Sequence, residues 1–256
     1  LKQSNDITQS IQYASTIQNA LLPGINGLSC FFPHSFIVYK PKAIVSGDFY
    51  WTQERNGVKV IAVADCTGHG VHGAFMSLLG ISFLSDIVNR ADNLDAGAIL
   101  GKLRKRLKYA LKQTDFKSNI KSGMDISLCI FNSIQKTIQF AGAYQSLYLV
   151  RRNELIEFKG DRMPIGVHIN DKQLFIQQII PYQPDDMVYL SSDGFKDQFN
   201  GLTGRKYLSK NFKAFLLQIA QFDLSKQTML LEQEFEHWKG KENEQTDDVT
   251  VLGIKL

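Results

Sequence analysis

The sequence predicts an α+β domain in which two antiparallel β-sheets carry helices on their outer sides. Short runs rich in β-branched and aromatic residues, typical of strands, recur from Ser35 to the C-terminus. Several runs are joined by only a few polar residues, which favours antiparallel neighbours. Helical patterns arrive in pairs between groups of strands, a distribution typical of α+β domains and not of alternating α/β ones.

The first predicted element is an amphipathic helix over residues 4–22. It ends at Leu22-Pro23-Gly24 because proline cannot continue a helix and glycine favours a turn. A narrow apolar stripe is typical of packing against a partner helix, although the helix can equally lie on its own domain. We therefore expect residues 1–24 to form a linker or coiled-coil helix and residues 25–256 to form the main domain. The stripe consists of Ile7, Ile11, Ala14, Ile17 or Gln18, and Leu21.

The remaining elements follow from a change of period after Ser35. Strands are predicted at 36–39, 58–64, 126–131, 137–140, 147–150, 175–180, 187–190 and 249–252. Helices are predicted at about 73–90, 95–113, 207–221 and 226–239. Short polar turns, each predicted to join two antiparallel neighbours, lie at 132–135, 151–154 and 184–186.

Composition indicates an ordinary globular protein and gives no sign of a nucleic-acid partner. The chain of 256 residues is 44% hydrophobic and 21% charged, with a net charge of +4. Its basic residues are scattered apart from one cluster of helical spacing, which we interpret as a solvated helix face. That cluster consists of Lys102, Arg104, Lys105, Arg106 and Lys108.

Cysteine usage and hydropathy favour a reducing, cytoplasmic location. Cys30, Cys66 and Cys129 lie far apart and form no CxxC pair. No apolar run approaches the about 20 residues that span a membrane, and the N-terminal segment is polar where a signal peptide is apolar. We expect a cytoplasmic protein, or the cytoplasmic part of a larger, membrane-attached one.

Four aspartates stand out because each lies at the end or beginning of an apolar strand and is flanked by small or polar residues. A carboxylate beside a buried strand is costly unless it is paired or binds a cation, and converging carboxylates repel one another strongly. Hard oxygen ligands suit Mg²⁺ or Mn²⁺, and neighbouring glycines allow the backbone to approach an ion closely. A single Asp-Gly pair would be a turn, so the joint occurrence carries the prediction. The four are Asp48, Asp65, Asp193 and Asp247.

This ordered set of motifs resembles the PPM (PP2C-like) metal-dependent phosphatases, and more closely the bacterial SpoIIE/RsbU branch. The resemblance covers nearly the whole chain, beginning with the helix that ends at Pro23. It implies a four-layer αββα sandwich of two antiparallel sheets with an N-terminal linker helix. The matching segments are 40–50, 64–70, 73–77, 122–125, 141–143, 163–166, 192–194 and 247–250.

The resemblance also implies a site that holds two Mn²⁺ or Mg²⁺ ions. Asp65 would bridge both ions, the backbone carbonyl of Cys66 would contribute, and Asp48, Asp193 and Asp247 would complete the set. Spacing alone leaves Asp248 as an alternative to Asp247. Many relatives have glycine at position 66, where cysteine is tolerable if only its carbonyl is used; an oxidation-sensitive thiol beside the site is the less favoured interpretation.

The activity that the resemblance implies is that of a serine/threonine phosphoprotein phosphatase. A cation-activated water would attack phosphorus in line, without a phosphoenzyme. The branch lacks the phosphate-binding arginine of its eukaryotic relatives, and the sequence offers neither an obvious replacement nor a general acid. Implied partners are a phosphoserine or phosphothreonine protein, such as a STAS-type anti-sigma-factor antagonist, an upstream sensor domain, and a second copy bound through the N-terminal helix.

Three alternatives remain open from sequence. A pseudophosphatase could bind a phosphoprotein without chemistry, although it has no need of four uncompensated carboxylates. A hydrolase of small phosphoesters would share the same motifs. His69 and His72 have a spacing that could bind zinc, but no third ligand is near, so we interpret them as loop or solvent-facing residues; Asp125 and Asp186 are interpreted as structural or loop residues.

Overall fold

A computed structural model of the protein describes residues 2–114, 121–170 and 172–256. Within these ranges the chain forms helices and strands in the order α1 (Lys2–Leu21), α2 (Ile25–Phe31), β1 (Ser35–Lys40), β2 (Phe49–Arg55), β3 (Val58–Cys66), α3 (Gly70–Arg90), α4 (Ala96–Ala110), β4 (Met124–Asn132), β5 (Thr137–Ala143), β6 (Leu147–Arg151), β7 (Glu154–Phe158), β8 (Gln178–Pro181), β9 (Met187–Ser191), α5 (Gly194–Asp197), α6 (Leu208–Ile219), α7 (Leu224–Lys239) and β10 (Val249–Lys255).

The strands form two five-stranded antiparallel sheets. Sheet A has the order β1-β10-β9-β6-β7, and sheet B has the order β2-β3-β4-β5-β8. The polar turns at 132–135 and 151–154 close the β4–β5 and β6–β7 hairpins, as predicted. The prediction for 184–186 was wrong, because this short segment carries the chain from β8 in sheet B to β9 in sheet A. A short connection can therefore also step between two packed sheets.

Helices cover the outer face of each sheet, which confirms the four-layer αββα sandwich. Helices α3 and α4 pack on sheet B, whereas α6 and α7 pack on sheet A. The larger core lies between the two sheets and under α3 and α4, and includes Leu84, Leu128 and Leu190. The smaller core lies between sheet A and its helices, around Tyr189 and Phe212. The site described below lies where the strand ends of both sheets meet.

Several local predictions differ from the structure. The strand predicted at 175–180 begins only at Gln178, because residues 174–177 lie outside the ladder and the Ile176 N–H donates to Asp161 Oδ2 at 2.8 Å. Arg104 is not on a solvated face: it is buried, and its guanidinium stacks on Phe175 with 4.6 Å between its Cζ and the ring centre.

Helix α3 also corrects the sequence analysis, because it is long and apolar enough to cross a membrane by length and composition. In this fold its apolar character has another cause. Its inner face, with Met76, Leu84 and Val88, is buried against sheet B, so α3 is a core helix of the sandwich.

Helix α1 packs on the domain along one face and leaves the other exposed. Gln18 is buried, as is Leu22 just after the helix, whereas four apolar residues of the predicted stripe are exposed. The sequence left open whether Ile17 or Gln18 belongs to the packed face, and in the structure it is Gln18 that faces the domain. The outward residues are Ile7, Ala14, Ile17 and Leu21.

Candidate metal centre

The fold brings the four predicted aspartates to one end of the sandwich. Asp48 directly precedes β2 and Asp65 lies near the end of β3, both in sheet B; Asp193 follows β9 and Asp247 precedes β10, both in sheet A. Burial, followed by the charges of Asp48, Asp193 and Asp247, raises the pKa of Asp65 from 3.8 to about 11. The four carboxylates are therefore close enough to act on one another across the two sheets.

Asp48 is the most deeply buried of the four, with 1% of its surface exposed. Its Oδ2 accepts a hydrogen bond from Thr250 Oγ1 at 2.7 Å, whereas its Oδ1 has no hydrogen-bond partner. Burial raises its pKa from 3.8 to about 8, hydrogen bonds from Ser192 and Thr250 oppose that rise, and nearby aspartates add to it. A buried oxygen without a partner is costly, and a cation would satisfy it.

Asp125 also belongs to this cluster, although the sequence analysis placed it among structural or loop residues. It is the second residue of β4 and pairs in register with Asp65 of β3. Burial raises its pKa to about 7, the charge of Asp193 adds to this, and Lys196 opposes it. Its position at a strand end after Ser122 and Gly123 is the signal that could have identified it.

The two adjacent aspartates near the C-terminus have different surroundings. Both carboxylate oxygens of Asp248 accept backbone hydrogen bonds, from the N–H of Lys42 and the N–H of Gly47, each at 2.7 Å. Asp247 is half-buried, and its Oδ1 accepts a bond from the Asp248 N–H at 2.8 Å. Asp248 therefore anchors the loop that carries Asp48, and Asp247 has the freer carboxylate.

Glycines allow the backbone segments of the site to touch. A Cβ at Gly73 would lie 2.3 Å from the Gly68 carbonyl oxygen and 2.7 Å from Gly47 Cα. A Cβ at Gly194 would lie 2.0 Å from the carbonyl oxygen of Asp248. Since real side chains do not tolerate such distances, the sequence specifies glycine where the four segments meet.

Cys66, His69 and His72 follow Asp65 closely in the chain, and none of their side chains is interpreted as a cation ligand. The Cys66 thiol is buried, and burial together with nearby aspartates raises its pKa, which disfavours the reactive thiolate. This favours the interpretation in which only its backbone is used. His72 is exposed, and its Nε2 lies 3.0 Å from Ser122 Oγ, while His69 immediately precedes α3.

Asp65, Asp125 and Asp193 open into a cleft of about 290 Å³. Within the described ranges, no three Asp, Glu, His or Cys side chains are close enough to form a ready-made coordination sphere. Mutual repulsion opposes a closer approach, and divalent cations would offset it. The all-oxygen donors and the partnerless Asp48 Oδ1 fit Mn²⁺ or Mg²⁺. The cleft is lined by Asp65, Asp125, Tyr144, Gln145, Asp193 and Lys196.

Comparisons with known proteins identify relatives among the PP2C-type phosphatase domains. The family model described as stage II sporulation protein E (SpoIIE) matches residues 56–256. The SiaA-PP2C domain of Pseudomonas aeruginosa is 33% identical, with 99% of this chain and 98% of that chain covered and a TM-score of 0.89. Among curated proteins, no significant match was found.

Two more distant structures share the fold. The PP2C phosphatase domain of SpoIIE from Bacillus subtilis, solved with a fragment of its regulatory domain, is 18% identical, with 86% of this chain and 61% of that chain covered and a TM-score of 0.69. The catalytic domain of the serine/threonine phosphatase PstP was solved with 2 manganese ions and is 16% identical. The match covers 86% of this chain and 96% of that chain, with a TM-score of 0.59.

Proposed function

The chain belongs to the SpoIIE family of PP2C-type serine/threonine phosphatase domains, and from that premise we propose that its aspartate centre hydrolyses phosphoserine or phosphothreonine in a protein with two Mn²⁺ or Mg²⁺ ions. The single observation that carries the proposal is the convergence of Asp48, Asp65, Asp193 and Asp247 from four separate segments. Retention of all four disfavours a pseudophosphatase, since such a module would bear their repulsion without benefit.

Each residue of the centre has a distinct part in this proposal. Asp48, Asp65, Asp193, Asp247 and the carbonyl oxygen of Cys66 would hold the cations. When bound, the cations stabilise negative charge on the phosphoryl group and lower the pKa of an attacking water. Thr250 fixes the orientation of Asp48, and Asp248 fixes the loop that presents it. PstP, which shares the fold, was solved with two manganese ions, and this supports a centre that holds divalent cations.

The substrate that we propose is a phosphorylated regulatory protein in the cytoplasm, such as a STAS-type anti-sigma-factor antagonist. Membership of the SpoIIE family supports a signalling role of this kind. The open shape of the cleft also supports it, because a serine phosphate presented by a protein segment must reach carboxylates that lie at the end of the sandwich and not in a closed cavity.

We propose that α1 connects the centre to an upstream sensor domain or to a second copy of the chain. Its outward apolar residues Ile7, Ile17 and Leu21 support a partner helix, because such residues gain stability when removed from water. Its inward residue Gln18 bonds to the backbone of Ser46, two residues before Asp48. A monomer whose activity is indifferent to removal of residues 1–24 would contradict this arrangement.

A manganese-dependent phosphatase assay tests the proposed function. We expect phosphate release from a phosphoserine protein to rise with Mn²⁺ and to fall by more than about 100-fold in Asp65→Asn and Asp193→Asn, because their charges stabilise the bound cations. Asp92→Asn, an exposed change on the α3–α4 connection, is the matched control. Equal activity in the wild type and Asp65→Asn would overturn the proposal. Faster turnover of a small phosphoester than of phosphoproteins would instead favour a hydrolase of small phosphoesters.

A further inference from the structure

Lys196 is the one cationic residue among those that line the aspartate cleft. It lies on α5, one helical turn after Asp193, and three of the cleft's five other lining residues are aspartates. Burial lowers its pKa, and the charges of Asp193, Asp197, Asp65 and Glu157 oppose that change. In the sequence, Lys196 is not recognisable as a replacement for the phosphate-binding arginine that the branch lacks.

The acidic residues outside the cleft that could neutralise Lys196 already have partners. Asp197 Oδ2 is 2.7 Å from the Nζ of Lys206. Glu157 Oε2 is 3.0 Å from the Nζ of Lys213, and its Oε1 accepts a bond from Ser146. In the described part of the chain, no carboxylate lies within ion-pair distance of Lys196 itself. The charge of Lys196 therefore acts mainly on the aspartates that line the cleft.

We propose that Lys196 binds a non-bridging oxygen of the substrate's phosphoryl group. The proposal rests on the proposed function, because it assigns to this chain the positive side chain that a phosphate dianion needs beside the cations. Once Asp65 and Asp193 are engaged with cations, Asp125 is the one carboxylate among the cleft's lining residues that still offsets the charge of Lys196. An ammonium group also suits this task as a compact donor of three hydrogen bonds.

The competing explanation is that Lys196 serves only as a counter-ion to Asp65 and Asp193. The two roles predict different measurements. A phosphate ligand affects the binding of substrate and of inorganic phosphate, whereas a counter-ion affects the affinity for Mn²⁺, which should become tighter when a competing positive charge is removed.

Lys196→Met is the principal test. We expect the KM for a phosphoserine protein and the calorimetric Kd of the Mn²⁺-loaded protein for inorganic phosphate to rise together by about 10- to 100-fold, the effect of losing a charge-assisted hydrogen bond. The calorimetric affinity for Mn²⁺ should not weaken. Lys196→Arg should restore most of the phosphate affinity. Lys102→Met, on an exposed face of α4, is the control of equal charge change.

A second variant leaves the lysine in place. Lys206→Met frees Asp197 to pair with Lys196, so it should weaken phosphate binding by about 2- to 5-fold, the range of an exposed ion pair. Unchanged KM and phosphate affinity in Lys196→Met, with tighter Mn²⁺ binding, would overturn the inference in favour of the counter-ion. A wild type without phosphatase activity would instead overturn the proposed function, while phosphate calorimetry would still decide the role of Lys196.

Discussion

At the scale of single residues, the four aspartates of the centre do not share one environment. Asp48 is buried, Asp65 and Asp247 are half-buried, and Asp193 is exposed. Ionising Asp48 is therefore costly, and only one of its oxygens has a hydrogen-bond donor. We infer that Asp48 depends most on cations for its charge, whereas Asp193 is free to meet solvent or substrate.

Two helical glycines give a matched residue-scale prediction. At Gly73, an added Cβ would meet the Gly68 carbonyl oxygen at 2.3 Å, whereas at Gly101 nothing lies within 4 Å. We expect Gly73→Ala to lower the free energy of unfolding by about 1–3 kcal/mol through overpacking. Gly101→Ala should raise it by about 0.5–1 kcal/mol because alanine favours the helix. Urea denaturation measures both.

The same two alanine variants also test whether the contacts of Gly73 support Mn²⁺ binding. Because Gly73 touches the segment that follows Asp65, its replacement should also weaken Mn²⁺ binding, while Gly101→Ala should leave that affinity unchanged. Similar unfolding free energies for the two alanine variants would show that the three backbone segments are not in contact as described.

At the scale of elements, α1 is joined to the metal-site loop through one side chain. Gln18 Nε2 donates to the Ser46 carbonyl oxygen at 2.6 Å and to Ser77 Oγ at 2.8 Å, and Gln18 Oε1 accepts from the Ser46 N–H at 3.0 Å. Gln18 is 3% exposed, so water cannot readily replace these bonds. Any movement of α1 is therefore transmitted to the backbone two residues before Asp48.

We expect Gln18→Ala to lower the free energy of unfolding by about 1–3 kcal/mol, because it leaves the buried N–H of Ser46 without its partner. It should also weaken Mn²⁺ binding, since Ser46 Oγ accepts from the Asp48 N–H at 3.1 Å. Asn19→Ala, on the exposed face of the same helix, is the control. Denaturation and Mn²⁺ calorimetry measure both effects; equal behaviour of the two variants would contradict this coupling.

Elements with a strong periodic pattern were predictable from sequence, and marginal ones were not. Helices α4 and α7 begin beside Asp95 and Asp223, whose side chains accept N-terminal backbone bonds, so their starts were placed within two residues. Strand β7 was missed because it is an edge strand whose residues are half-buried or exposed. Strand β2 was missed because only its first half, Phe49 to Trp51, is buried.

The site was predictable only where a local pattern marked it. The four aspartates lie next to apolar strands, and that pattern is visible in sequence. The roles of Asp125 and Lys196 depend on which strand ends and which helix share a cleft, and that is a property of the two-sheet packing. The hydrogen bonds from the Lys42 and Gly47 backbone, which distinguish the surroundings of Asp248 from those of Asp247, are likewise a property of the folded chain.

At the scale of the whole molecule, the buried carboxyl groups link stability to pH. Burial raises the pKa of Asp48 from 3.8 to about 8 and that of Asp125 to about 7. From about pH 4 to pH 8 the folded, metal-free protein thus holds protons that the unfolded chain has released, and Asp65, with its pKa of about 11, extends this difference to higher pH. Stability that is present at low pH is lost as pH rises through this interval.

We expect the Tm of the protein in chelator to fall between about pH 5 and pH 8, and the increase in Tm produced by Mn²⁺ to grow over the same interval, because cation ligands must be deprotonated. Asp48→Asn should show a shallower fall, since it removes one of the titrating groups. Thermal unfolding at a series of pH values measures both. A Tm in chelator that stays level or rises would contradict the buried, mutually repelling arrangement.

The convergence of distant carboxylates on divalent cations is tested most directly by a calorimetric titration of Mn²⁺ into the wild type and the single variants Asp48→Asn, Asp65→Asn, Asp193→Asn and Asp247→Asn. We predict two bound ions per wild-type chain and loss or strong weakening of binding in every variant, with both ions affected in Asp65→Asn and full binding in the control Asp92→Asn. Unchanged stoichiometry and affinity in the four variants would contradict the shared centre.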